Sequence, residues 1–441
     1  MKRIEGNTRE ALYKKAALRL IPLLFICYLL AYLDRVNVGF AKLQMSRDLG
    51  FSETLYGTAA GIFFIGYLLF EVPSNVILSR VGARIWIARI LVTWGAVASL
   101  QLFVTGAVSF SVMRFLLGVA EAGFFPGVIF YLTLWFPAAY RARILSWFML
   151  AVSFSGVVGG PVSGFILEKL DGMGGMWGWQ WLFLLQGLPA VFMGILVFLV
   201  LDDGPQTCRW LDKEEKSLLH ADLVADGERS PASSTAGHGI AGAFGNPMAW
   251  MLGLIYFCIV VGLYGISFWL PQILAETVSR DPVAIGWLSA IPWAVASLAM
   301  VADGKHSDRT GERRLHIAIP CFGAAASFGA FALFPHPGTG ALLLLVIAAA
   351  GIMSALSVFW TLPPMLLRGT ASAVGIALIN SIGNIGGYVS PQIVGMLRDA
   401  TRGHMAAAFI FFAGCLAVAG LLALTFSNEQ KAAPFHFPNT P

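Results

Sequence analysis

Twelve apolar stretches of roughly 20 residues run through this chain, and each can cross the hydrocarbon core of a bilayer as a helix. They fall at about 20–43, 57–79, 85–105, 109–135, 144–167, 178–201, 248–271, 283–303, 315–334, 341–362, 370–396 and 405–427. Length alone would divide 441 residues into two or three soluble domains. The composition is too apolar for that: 57% hydrophobic, 12% charged and a mean hydropathy of +0.75, against about 25% charged in a soluble domain. The expected fold class is an all-α membrane protein with twelve transmembrane helices. A secreted disulfide scaffold, a nucleic-acid binder and a disordered tail protein are excluded. The five cysteines are scattered without short pairing, so neither a disulfide framework nor a metal site is signalled.

The first apolar run has a basic flank like that of a signal peptide. It continues into Asp34-Arg35 without a small-residue cleavage site, and so reads as an uncleaved first span. The longest polar stretch lies between spans six and seven, with the charge cluster Asp212 to Lys216 and the run Ser230 to Ser234. It divides the chain into a six-helix bundle over 1–201, a linker over 202–246 and a second bundle over 247–441 with a short tail. With the N-terminus inside, 21 of the 29 lysines and arginines collect on inner segments, among them Arg80, Arg309, Arg313, Arg314, Arg368 and Lys431. Six, including Lys42 and Arg398, lie in outer loops, and Arg35 and Arg114 fall within spans. That bias places both termini in the cytoplasm.

Two echoes support the halves. Arg80-x-Gly82-x-Arg84 after span two matches Arg309-x-Gly311-x-Arg313 after span eight. Gly156, Gly159, Gly160 and Pro161 in span five match Gly383, Gly386, Gly387 and Pro391 in span eleven, where small residues allow close helix approach.

With Tyr32-Leu-Asp34-Arg35-Val-Asn37 in span one, Phe70-Glu71-Val-Pro73-Ser-Asn75 in span two, Arg114 to Gly127 in span four, the loop Ser307 to Arg314 and Asn380 to Gly387, the chain resembles the major facilitator superfamily. Within it the resemblance is to the anion:cation symporter family, and to its tartrate, phthalate and hydroxyphenylacetate permease branch. It covers nearly the whole chain. One departure is Ser79, where the superfamily loop usually has Asp, which leaves Asp308 as the intact version. The resemblance implies gating by Arg80, Asp308, Arg309 and Arg313, and proton sites on spans one and four. It also matches Tyr67, Ser357 and Asn380 to substrate-binding positions.

Five charges lie within predicted spans: Asp34, Arg35, Glu71, Arg114 and Glu121. Each costs several kcal/mol at the bilayer centre without a partner or a purpose, about 2.5–3.5 on the lower scales. The helix rise puts Asp34 and Arg35 about 20 Å above the inner end of span one, and Arg114 about 8 Å below the outer surface. Asp34 and Arg114 can therefore pair. Arg114 and Glu121, seven apart, share one face of span four. The planar fork of Arg35 suits a substrate carboxylate, or a structural pair with Asp34 or Glu121. Buried acids beside arginines can alternate between protonated and paired states, so Glu121 and Asp34 are the candidate proton carriers. Glu71 reads as structural or as a gate contact. Tyr28 and Tyr32 share a face with Arg35 and either line the path or pack between helices. Trp360-Thr361 is similarly open between stacking on an aromatic acid and packing.

No P-loop, H-E-x-x-H or G-x-S-x-G motif points to an enzyme, and no cofactor or metal is called for. A channel needs no two-half repeat with buried acids. The expectation is a monomeric secondary transporter of a bacterial inner membrane. It would import a tartrate-like, sugar-acid or aromatic carboxylate with protons, or with sodium, by alternating access. The competing reading is a proton-coupled antiporter exporting drugs or metabolites, which shares the fold.

Overall fold

The structure, a computed structural model, describes residues 2–229, 245–334, 338–366 and 371–426. The Ser230 to Ser234 run, Arg368, Lys431 and the tail lie outside the described residues. Among the described residues no strand occurs. The helices of the first part are α1 (Lys2–Val36), α2 (Val38–Asp48), α3 (Glu53–Val81), α4 (Ala83–Leu100), α5 (Ala107–Glu121), α6 (Phe124–Thr133), α7 (Ala138–Lys169) and α8 (Gly178–Val200). After α9 (Lys213–Arg229) come α10 (Pro247–Thr277), α11 (Pro282–Thr310), α12 (Arg314–Leu333), α13 (Thr339–Phe359), α14 (Leu362–Leu366), α15 (Ala371–Ala400) and α16 (Ala406–Leu424).

Among the described residues eleven segments are long and apolar enough to cross a membrane. They correspond to the expected spans except the eleventh. That position is taken by α15, 30 residues long, the start of which borders residues outside the described ones. It lies inside the bundle against α3 and α10.

Local chemistry sets the helix ends. Ser52, Asn246 and Asp281 each accept a backbone N–H at the start of α3, α10 and α11, and Pro247 and Pro282 follow two of these caps. The segment expected as a plain polar linker carries a helix of its own. Asp212 and Glu215 exchange reciprocal side-chain to backbone bonds of 2.7 and 3.0 Å at the start of α9, a capping box with Asp at the N-cap. This helix is seated on the first span: Tyr13 donates to Asp222 (2.9 Å), Arg9 pairs with Asp222 (3.1 Å) and Lys15 pairs with Glu215 (2.8 Å). The face where α9 sits is the linker end of the bundle, and the opposite face is the distal end.

Helix α4 packs on α8, α3 on α5, and α1 on α7; in the second part α12 packs on α16 and α13, and α10 on α15. Two broad seams, α7 with α11 and α3 with α15, join the two sets. Both are tightest toward the distal end. A Cβ at Gly57 would overlap the Pro391 carbonyl oxygen, and one at Gly164 would overlap that of Pro282. The echoed glycines divide their work. Gly156, Gly160 and Gly387 face across the seams, toward Trp293, Gly286 and Phe64, whereas Gly159, Gly383 and Gly386 face Leu33, Tyr256 and Phe257 within their own set.

Candidate functional site

Two spans are broken at the same place, and both breaks carry charge. Span one stops at Val36 and restarts at Val38, with Asn37 between. Span four stops at Glu121 and restarts at Phe124. There Gly123 has φ +85°, and a Cβ would meet the Ser74 hydroxyl, so only glycine fits. Irregular backbone at membrane depth is tolerated where it is buried in protein or lines a cavity. Arg35 lies in the last turn of α1 and Glu121 is the last residue of α5. A cation at a helix C-terminus is favoured by the helix dipole; a carboxylate there is not, and needs a partner.

Arg35 supplies it. Its Nη2 donates to Glu121 Oε1 in a short, buried ion pair, and its Nη1 donates to the Tyr264 hydroxyl of α10 at 2.9 Å. The guanidinium lies 5.2 Å from the ring centroid of Phe63, 5.4 Å from Tyr67 and 5.5 Å from Tyr32, within cation–π range. Arg35 Nε and Glu121 Oε2 have no hydrogen-bond partner among the described residues. The guanidinium thus keeps its Nε–H uncommitted while Nη1 and Nη2 are engaged.

The expected pair of Asp34 with Arg114 is not formed. Asp34 is fully buried; its Oδ2 accepts from Trp94 Nε1 at 2.7 Å and its Oδ1 faces Asn37 Nδ2 at 3.5 Å. Arg114, also fully buried, instead donates to the carbonyl oxygens of Arg35 (3.5 Å) and Ala60 (3.4 Å). The reason lies in the break: the last carbonyls of a helix have no partner within it, and Arg114 reaches one of them. Helix rise located both groups in depth but not in rotation.

Tyr67 and Tyr32 stand beside Arg35, Tyr32 also stacking on Tyr264 at 6.5 Å. Tyr28 packs on Phe148 at 4.5 Å. Ser357 is half-buried and donates to the carbonyl of Ser354. Trp360 meets Tyr256 edge-on at 4.9 Å. Asn380 does not stand alone: its Nδ2 donates 3.0 Å to Glu71 Oε1, joining α15 to α3 on the linker side of Arg35.

The motif loops lie at the linker end. In the second, Arg313 pairs with Asp308 at 2.7 Å and donates to Ser307 at 2.9 Å, while Arg309 is exposed with no ion pair among the described residues. This latch ties α11 to the start of α12 and does not cross to the first set of spans. In the first loop Arg80 is exposed and makes no ion pair among the described residues. Beside it Asp203 accepts the Arg84 backbone N–H at 2.9 Å, at the start of α4.

Three contributors are not apparent from the sequence. Tyr264 and Trp94 look there like further aromatics in apolar helices. The third is a distal cluster. Lys42 pairs with Glu53 at 2.8 Å, and Arg398 pairs with Glu53 at 3.3 Å and Glu276 at 2.7 Å, linking α2, α3, α10 and α15. The Trp269 ring lies 4.5 Å from the Lys42 ammonium and 5.4 Å from the Arg398 guanidinium. Asp399 accepts the backbone N–H groups of Glu53 and Thr54. Lys42 and Arg398 are each only 3% exposed, although in sequence they border loops.

Comparison with known proteins places the chain in a family. The chain is 46% identical over 94% of its length to the "Putative metabolite transport protein NicT" of Pseudomonas putida, 94% of which is covered. It is 44% identical over 98% of its length to a "Putative tartrate transporter" of Agrobacterium vitis, covering 94% of that protein. With the "Quinolone resistance transporter" of Acinetobacter baumannii it shares 40% identity over 94% of both chains. Its fold matches the xylose transporter XylE from E. coli with a TM-score of 0.73 and 16% identity, over 93% of this chain and 99% of that one. Residues 24–391 match the family described as Major Facilitator Superfamily, and the chain, a multi-pass membrane transporter and not an enzyme, belongs to that superfamily.

Proposed function

We propose that this transporter imports an organic carboxylate together with protons across the cytoplasmic membrane of a bacterium. A single copy would work by alternating access. Residues 1–201 and 247–441 rock against each other, with 202–246 as the linker and both termini in the cytoplasm. The supporting observation is the pairing of Arg35 with Glu121 at the two helix breaks. A substrate carboxylate and Glu121 compete for the same guanidinium. Protonating Glu121 removes its claim and frees Arg35 for the substrate, and losing that proton restores the internal pair and expels the substrate. Proton and anion are thereby bound together and released together. Asp34, held by Trp94 and next in sequence to Arg35, is the second proton site in this reading. Tyr32, Tyr67 and Tyr264 position the guanidinium, and Arg114 holds the broken backbone. The inner-loop residues Asp308, Arg309, Arg313 and Arg80 serve the gate. Relatives named for tartrate and metabolite transport are consistent with an organic-acid substrate.

The test is uptake of labelled carboxylates into proteoliposomes with and without an inward proton gradient. Accumulation should collapse with a protonophore. Glu121→Gln should keep counterflow exchange but lose accumulation, and retained accumulation in that variant would sink the mechanism. The relative named for quinolone resistance favours a second reading, proton-coupled export. Extrusion of drugs without carboxylate uptake would establish export in place of import.

A further inference from the structure

On the distal side of the Arg35–Glu121 pair, α1, α7, α8, α10 and α11 surround a small cavity. No cationic side chain lines it, so it offers nothing to an anion. Its polar lining includes two buried amide oxygens without a donor and three seryl oxygens whose hydrogens are already engaged. Ser155, Ser267 and Ser289 each commit the hydroxyl hydrogen to a carbonyl of their own helix, at 2.6, 2.7 and 2.7 Å. A hydroxyl so engaged presents only lone pairs to what lies beside it. Each amide nitrogen spends one of its two N–H groups nearby: Gln186 Nε2 donates to Ser163 at 2.9 Å, and Asn37 Nδ2 faces Asp34 at 3.5 Å. That leaves Gln186 Oε1 and Asn37 Oδ1, on residues 4% and 2% exposed, with no partner among the described residues. Donors are present too, in the Tyr32 and Ser163 hydroxyls, the Trp293 indole and the second N–H of each amide, but the two amide oxygens are the buried polar atoms of the lining left without a partner among the described residues. A buried acceptor without a donor is costly, about 1–3 kcal/mol, and a guest that brings positive charge relieves several at once.

We propose that this cavity is a binding site for the coupling cation, a hydrated proton or Na+, between the distal face and Asp34. Such small cations are ligated by oxygen lone pairs, which is what the wall offers. Asn37 connects the two: the residue lines the cavity, and its nitrogen faces the Asp34 carboxylate at 3.5 Å. Asp34 is otherwise faced by Trp94 from α4, by Arg114 and Glu121 from α5, and by Arg35 beside it in α1. The cavity lies between the two sets of spans, where rocking would expose it to the distal side. The inference rests on the cation-coupled reading above and names where the cation waits.

The experiment uses full-length protein in proteoliposomes and the variant Gln186→Leu/Ser289→Ala. The cation concentration giving half-maximal carboxylate uptake, in H+ or in Na+, should rise at least fivefold, and by more than the KM for the carboxylate. Ser297→Ala, on α11 but outside the cavity, should leave it unchanged. Calorimetry with NaCl against choline chloride separates the sources. Na+ binding present in the native protein and lost in the variant assigns Na+; no Na+ binding with a shifted pH midpoint assigns the hydrated proton. If the double variant folds poorly, Ser289→Ala alone should still raise the half-saturating concentration, by at least twofold. Unchanged half-saturation for both cations overturns the site, as does carboxylate accumulation that depends on neither. A native protein that binds Na+ at this cavity but accumulates no carboxylate would keep the site and sink the import reading.

Discussion

At the distal end, four charged side chains from four helices form one ion-pair cluster beside Trp269, whereas on the linker side, among the described residues, an amide–carboxylate bond from Asn380 to Glu71 joins α15 to α3. The distal end adds backbone-close glycines, and the described ion pairs at the linker end run from the first set of spans to α9 or within the second set. The contrast bears on reversibility. A dry hydrophobic seal of the same area would be costly to reopen. A buried ion-pair cluster gives little net stability, because desolvation offsets most of its Coulombic gain, and its charges recover hydration when the seam parts. Under the alternating-access reading proposed above, a distal closure built this way is specific in geometry without being held shut by a large net energy.

The largest effect is expected where closure depends on backbone contact. Gly164→Leu places a branched side chain against Pro282 and Gly286, and overpacking of this kind costs about 1–3 kcal/mol. The distal seam should stand open, seen as a longer distance between spin labels on distal residues, and uptake should fall at least tenfold. Unchanged label distances would mean that the seam is not what holds the distal end shut.

Next in size is Arg398→Met, which leaves Glu53 and Glu276 without their shared cation. Removing one partner of a fully buried pair costs about 3–5 kcal/mol. Here Glu276 is 37% and Glu53 26% exposed, so water recovers part of the loss. The distal-open population should rise about tenfold, equivalent to about 1.4 kcal/mol. Adding Glu276→Met should restore part of the native balance in a double-mutant cycle. Purely additive effects would make the cluster incidental.

The same contrast separates what was legible in sequence from what was not. Asp34, Arg35 and Glu121 stood out because a charge inside an apolar run has no cheap explanation, and two of the three do meet in one ion pair. Lys42 and Arg398 did not, because lysines and arginines bordering loops are usually solvated. Only packing reveals that Trp269 shields them. The spans were readable from length and apolarity, which are one-dimensional. The partner of Asp34 was not, since a rotation about the helix axis decides between Arg114 and Trp94 at equal depth. The helix in the linker was encoded by Asp212 and Glu215, three residues apart, within a cluster that reads at first as mere solvated charge.

The smallest effect falls at the linker side and separates two roles for one residue. Asn380→Ala removes a single hydrogen bond to Glu71, worth about 0.5–1.5 kcal/mol net. If the bond is a gate contact, linker-side cysteine accessibility should rise by two- to tenfold, with the carboxylate KM nearly unchanged. If Asn380 instead contacts the substrate, as its resemblance to binding positions implies, KM should rise while accessibility holds. Glu71→Gln refines the choice, because a glutamine oxygen can still accept from Asn380 while its charge is gone. A gate role predicts near-native accessibility for that variant. A distal-open population that responds to either substitution would show that the two ends are coupled through α3 and α15, the pair of helices that carries both contacts.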